Sequence, residues 1–204
     1  MTSTLNKLKE NGRDRLIAAS LKLFSHKGFH ACTIREICDK ARANISLVSF
    51  HFGGKEGLLD VIFDELNEDD FDVINSVLSN VSSREDLKIR LKLFLDSYAE
   101  YSLKHADVVS LFFEEMERGN PQAEKRMKNT FGKVWSALNS FLKDAQDHEL
   151  IPIHLDTQIL SYQILSPISN LCRSRHTSTQ VTFFSLKNAE FREKLHSQII
   201  DTNI

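Results

Sequence analysis

The sequence predicts an all-α protein in two parts: a three-helix N-terminal unit with a helix-turn-helix, joined to a larger helical body. Three observations carry this. Only seven Gly and three Pro occur in 204 residues, too few punctuators for a strand-and-turn protein. Apolar residues recur at i, i+3, i+4 and i+7 in one segment after another. Within the first quarter of the chain, a capping box opens a short amphipathic stretch that is followed by a tight turn and a second short helix.

The first helix is expected from about Arg13 to Lys27, with Leu16, Ile17, Leu21 and Phe24 on one stripe and Gly28 ending it. Thr33 to Glu36 reads as a capping box, in which hydroxyl and carboxylate satisfy each other's orphan backbone N–H groups. Ile34, Ile37, Cys38 and Ala41 then form the buried face of the second helix. Asn44 caps a third, short helix running to about His51, with Val48 and Phe52 turned inward. Gly53 and Gly54 break the chain, and a fourth helix through Leu59, Ile62, Phe63 and Leu66 extends towards Asn80.

In the body, Ser83 precedes a helix bearing Leu87, Leu91, Phe94, Leu95 and Tyr98. A further helix spans Asp107 to Arg118 and stops at Gly119-Asn120-Pro121. Met127, Phe131, Val134, Trp135, Leu138, Phe141 and Leu142 mark one long helix, ended by a strand-like connector at residues 150–153. Asp156 opens a helix kinked at Pro167, Arg173 to Ser185 reads as irregular, and a last helix runs from about Asn188 towards Asp201. The resulting division is 1–55 and 56–204.

Charge divides the same way. Residues 1–55 carry ten Lys and Arg against four Asp and Glu, a net of +6, and the overall charge of −2 leaves −8 for the rest. A basic end on an acidic body suits a polyanionic partner for the first part alone. MTSTLNKLKENGRDR lacks the apolar segment of a leader, and no later run is long and apolar enough to cross a bilayer, so a cytoplasmic protein without membrane contact is expected. Cys32, Cys38 and Cys172 lack CxxC spacing and are read as buried reduced thiols. No GxSxG, P-loop or HExxH is present, and His26 and His30 straddle Gly28 instead of sharing a helix face, so neither enzymatic activity, metal nor cofactor is expected.

Leu23-Phe24, Gly28, Thr33, Ile37 and Ala41, followed by Phe50-His51-Phe52-Gly53-Gly54-Lys55-Glu56-Gly57-Leu58, resemble the N-terminal signature of the TetR family of bacterial transcription regulators. The resemblance covers about a quarter of the chain, from Arg13 to Leu59. It implies a DNA-binding domain at 1–55, an effector-binding and dimerisation domain at 56–204, and a nucleoid-associated repressor that binds a palindromic operator as a homodimer until a small molecule releases it. Matched residue by residue, DNA binding falls to Thr33, Arg35, Asn44, Ile45, Ser46, Ser49, Phe50, His51 and Lys55. Thr33 lies where backbone N–H groups bind a phosphate, and Lys55 matches the family lysine that reaches one. Ile45 and Ser49 depart from the family's commoner Lys and Tyr. Two readings of Ile45 stay open: contact with a thymine methyl, or filling the gap between the first and third helices.

The resemblance also suggests an effector pocket lined by Phe94, Tyr98, Tyr101, Phe112, Met116, Phe131, Trp135 and Cys172, although such an aromatic set is commonly plain core. Dimerisation would use Ile159, Tyr162, Gln163, Ser166, Phe191, Leu195, Gln198 and Ile199 on the two final helices. The rival reading is a helical adaptor that binds another protein and shows no salt-sensitive affinity for DNA.

Overall fold

The computed structural model describes residues 12–64, 72, 76–173 and 185–204, and among them the regular structure is entirely helical. α1 (Gly12–Lys27) buries Leu16, Ile17, Ala19 and Phe24. It ends at Gly28, whose φ of 78° needs glycine, and whose N–H donates to the Phe24 carbonyl at 2.8 Å.

α2 (Ile34–Ala41) begins with the expected capping box. The Thr33 hydroxyl accepts from the Glu36 N–H at 3.2 Å, and the Glu36 carboxylate accepts from the Thr33 N–H at 2.9 Å. Lys27 at the end of α1 donates to the other carboxylate oxygen at 2.5 Å. The Lys27 contact, followed by the Thr33 bonds, pulls the Glu36 carboxyl down to about 2. Ile37, Cys38 and Ala41 face α1 and α3, and Arg15 of α1 donates from Nε to the Ala41 carbonyl at 3.1 Å.

α3 (Ile45–Phe52) is capped by Asn44, whose side-chain oxygen accepts from the Ser46 N–H at 3.0 Å. Gly53 closes it in the left-handed conformation, φ 73°. α4 (Lys55–Asp64) then starts so close to the end of α3 that a Cβ on Gly57 would lie 1.8 Å from the Phe52 carbonyl oxygen. Here glycine is required by space. Residues 65–71 and 73–75 lie outside the described residues; towards the expected end of the fourth helix, Asp72 and Ser76 are helical and Asn80 is not.

The body comprises α5 (Arg84–Lys104), α6 (Ala106–Glu117), α7 (Pro121–Asn129), α8 (Phe131–Asp147), α9 (Thr157–Arg173) and α10 (Ala189–Asn203). α5 lies against α9 and α10, and α9 also packs on α6 and α8. α6 is the bridge, since it contacts α1 and α4 on one side and α7 and α9 on the other. The single long helix expected through Met127 and Phe131 is two helices, broken at Thr130 with φ −114° and ψ −91°. The i, i+4 spacing of apolar residues runs through this break, and the nearest punctuator, Gly132, falls inside the following helix, so periodicity alone does not reveal it. The strand-like connector at 150–153 is a turn: Gln146 donates from Nε2 to the Pro152 and Leu155 carbonyls at 3.1 and 2.7 Å. Arg173 belongs to α9, while residues 174–184 of the expected irregular segment lie outside the described residues.

α10 turns His196, Ile199 and Ile200 inward. The His196 Nδ1 lies 2.9 Å from an Asp96 carboxylate oxygen, and burial outweighs that neighbour, lowering the imidazole pKa and favouring its neutral form. Lys88–Asp201 and Lys92–Glu193 pairs flank this contact on the surface.

Two outcomes follow from these packing and capping contacts. Gly57→Ala must push α4 away from the Phe52 carbonyl and is expected to cost about 2 kcal/mol or more in a urea titration. The folded-state pKa of Glu36 lies below its ordinary 4.5, so the carboxylate's stabilisation is complete above 4.5 and disappears as pH falls through about 2. Thermal melts should therefore show Glu36→Gln losing less stability than the parent over that acid interval, while being less stable at neutral pH.

Candidate nucleic-acid interface and effector cavity

The helix-turn-helix presents one face with no covering element among the described residues. On α3, Ile45, Ser46, Ser49 and Phe50 are all exposed, while Val48 and Phe52 hold the helix to the domain from its opposite side. Phe50 is 81 % exposed and Ile45 49 %, large apolar groups left in water by a helix only eight residues long. Ile45 therefore does not fill the gap between α1 and α3. Leu47 does: its Cδ1 would come 3.3 Å from a Cβ placed on Gly12 of α1. The His51 ring is half-buried and meets Phe50 edge-on, centroids 4.9 Å apart.

Thr33 and Arg35 are exposed at the start of α2. The Thr33 hydroxyl is engaged twice, accepting from Glu36 N–H and donating to its carboxylate at 3.0 Å, so its role here is the cap. The Ile34 and Arg35 N–H groups stand in the first turn, where a helix has no internal acceptors to offer. They are the backbone donors that a phosphate can reach. Asn44 spends its oxygen on the α3 cap and keeps its amide N–H₂ exposed.

Lys55 is placed differently from the bare signature. Its ammonium donates to the carbonyls of Phe29 and Cys32 at 3.1 and 3.0 Å and lies 4.4 Å from the centre of the Phe29 ring. Two of its three N–H groups thus tie α4 to the loop between α1 and α2. Arg15 and Lys27 are likewise committed to structural contacts, so part of the basic N-terminal surplus supports the fold. Exposed Lys40 and Arg42 flank α3 instead. Neither lies at a position of the signature, so motif spacing does not point to them.

In the body, a cavity of about 380 Å³ lies between α8 and α9. Of the expected lining residues it takes Tyr98, Phe131 and Trp135. Phe94 and Phe112 are fully buried core instead, and Tyr101 is 5 % exposed beside His105. Met116 packs against the core, and the Cys172 thiol donates to the Ser102 carbonyl at 3.0 Å, so neither lines the cavity. The missed lining residues include Phe113, Lys128, Ser169 and Arg173, together with Tyr162 and Ser166 from the expected dimer set. Helical periodicity groups residues by face but does not say which face meets a void. Tyr98 is held neutral, its pKa pushed up to about 12 by burial, and its hydroxyl lies 2.7 Å from that of Ser169.

Ile159, Tyr162 and Gln163 form an exposed strip on α9; Ile159 and Tyr162 are 59 % and 67 % exposed. Phe191 and Leu195 are half-buried on α10 and Gln198 is exposed, but Ile199 is only 7 % exposed and faces the chain's own core. Its removal from the expected contact surface follows from α10 packing through 196, 199 and 200, one residue off the stripe inferred from apolar spacing. Among the described residues, no cluster of His, Cys, Asp or Glu is suited to a metal, and no helix is long and apolar enough to cross a membrane.

Residues 16–62 match the family model described as bacterial regulatory proteins, tetR family. The chain is 28 % identical over 109 residues to the "Probable HTH-type transcriptional regulator YttP" of Bacillus subtilis, a match covering 53 % of this chain and 52 % of that protein. It thus spans about half the length of that relative. Among solved structures, its fold is similar to that of the TetR family transcriptional regulator PfmR from Thermus thermophilus, with TM-score 0.72 and 17 % identity over 92 % of this chain and 98 % of the other. A second similar fold is FadR from Bacillus subtilis, solved in complex with stearoyl-CoA, with TM-score 0.67 and 14 % identity over 93 % and 96 %. Residues 16–62 thus carry the N-terminal motif of the tetR family, set in an all-helical architecture similar to that of TetR-family regulators.

Proposed function

We propose that the chain is a transcriptional repressor that binds a palindromic operator as a homodimer and lets go when a small molecule occupies the cavity. The observation that carries the reading is the α3 face, where Ile45, Ser46, Ser49 and Phe50 are exposed on a helix anchored by Val48 and Phe52. Such a helix suits the major groove, where apolar side chains can read thymine methyls and Ser hydroxyls can pair with base edges. Residues 1–55 form the DNA-binding part of this reading and 56–204 the effector and dimer part, with α4 shared between them.

Dimerisation is assigned to the exposed α9 strip and to Phe191, Leu195 and Gln198. A two-fold pair would set two α3 helices against half-sites about 34–36 Å apart, or a multiple of that distance. Coupling to the cavity is assigned to a chain of rings. Phe131 lines the cavity and lies 5.5 Å from Phe112, which meets Phe63 of α4 at 5.2 Å. The N-terminal end of α4 carries Lys55 and its hold on the α1–α2 loop. A ligand that displaces Phe131 thus acts on the element that positions α2 and α3. The shift in DNA affinity equals the ligand's preference for one arrangement over the other.

Two measurements test this. Selection of operators from random DNA should recover a palindrome, with affinity falling steeply as salt rises through counterion release. No enrichment at low salt would instead favour a helical adaptor. Trp135 is the single tryptophan and lines the cavity, so operator binding should change its emission by linkage. Phe112→Leu should keep DNA affinity within about threefold yet blunt that change; an undiminished signal would sink the ring relay.

A further inference from the structure

We infer that the cavity selects an apolar acid, a chain or ring system ending in one anionic head, held with its head at the mouth by Lys128 and Arg173. This rests on the effector reading above and names the class of molecule it takes. Among the described residues, two cations and no acidic residue line the cavity. Among the described residues Lys128 has no ion-pair partner, whereas Arg173 pairs with Glu117 and lies over the Phe113 ring at 6.0 Å. Among the described lining residues the balance is therefore one uncompensated positive charge, which one negative head neutralises.

The interior decides the rest. The Tyr98 and Ser169 hydroxyls lie 2.7 Å apart, Ser169 also reaches the Leu165 carbonyl at 3.1 Å and Tyr98 also meets the Ser102 hydroxyl, so both hydroxyls have partners within the protein. The Tyr98–Ser169 pair is thus already satisfied by internal hydrogen bonds. Around it stand Phe131, Val134, Trp135 and Leu165, surfaces that favour hydrocarbon or aromatic carbon. A guest anion buried there would lose water and have to compete with those internal hydrogen bonds for a donor. Placed at the mouth, the same head keeps partial hydration and meets Lys128.

Trp135 also provides the readout. Sodium decanoate and 1-decanol, titrated at neutral pH below micellar concentration, differ only in the charged head. Decanoate should saturably change Trp135 emission with about tenfold higher affinity than decanol, as expected for a hydrogen bond to a charged group. Lys128→Met should bring decanoate down to the affinity of decanol while leaving decanol unchanged. Lys128 is exposed, and an unaltered thermal melt of the variant shows that its fold is kept. Equal binding of acid and alcohol, no binding of decanoate, or a preference that survives both Lys128→Met and Arg173→Gln would overturn the inference. Operator binding measured by anisotropy separates the two readings. Decanoate that binds without releasing DNA would defeat the repressor-release mechanism and leave the acid site standing. DNA binding intact with no decanoate response at Trp135 would defeat the acid site alone.

Discussion

The ammonium of Lys55 is the point on which the N-terminal half turns. It lies at the start of α4, donates to two carbonyls of the α1–α2 loop and sits over the Phe29 ring. Carbonyls in a short loop between helices otherwise need water or a side chain, and a lysine brought back from a later helix supplies two N–H groups at once. The loop so held sets where α2 begins, and Thr33, Glu36 and Lys27 complete that end. The placement of α3 is inherited from these contacts.

From there the constraint passes into the body through α4 and α6. Gly28 lies against α6, where a Cβ on it would come 2.9 Å from a carboxylate oxygen of the Glu114 side chain. One residue further along α6, Glu115 is fully buried, accepts from the Asn120 amide at 2.8 Å and has His30 of the α1–α2 loop 3.5 Å away. Alongside, Phe63 and Phe112 meet edge to face. A buried carboxylate flanked by a glycine contact and an aromatic pair leaves little slack between the two parts. The proposed coupling from Phe131 to α3 relies on that stiffness.

Much of this was legible along the chain. The capping box at Thr33 and Glu36, the Asn44 cap and the inward Val48 and Phe52 depend on neighbours within a turn or two, so local spacing reveals them. The break at Thr130 was not legible, because apolar spacing continues across it. The expected pocket lining was legible in part: Tyr98, Phe131 and Trp135 of its eight residues line the cavity, while Phe94 and Phe112 share the same aromatic character but fill the core. Composition cannot separate a ring beside a void from a ring beside another ring.

The sequence by itself determined the helices, their caps, the two glycines at 53 and 54 that divide α3 from α4, and the family signature, because each is written in residues a few positions apart. Tertiary structure decided the rest. It committed Lys55 to loop carbonyls, turned Ile199 inward and left Ile45 in solvent. It also gathered Lys128 and Arg173 at one cavity. The reason is physical: a side chain's partner across the fold depends on how whole helices rotate and dock against one another, and that rotation is set by packing summed over the entire core.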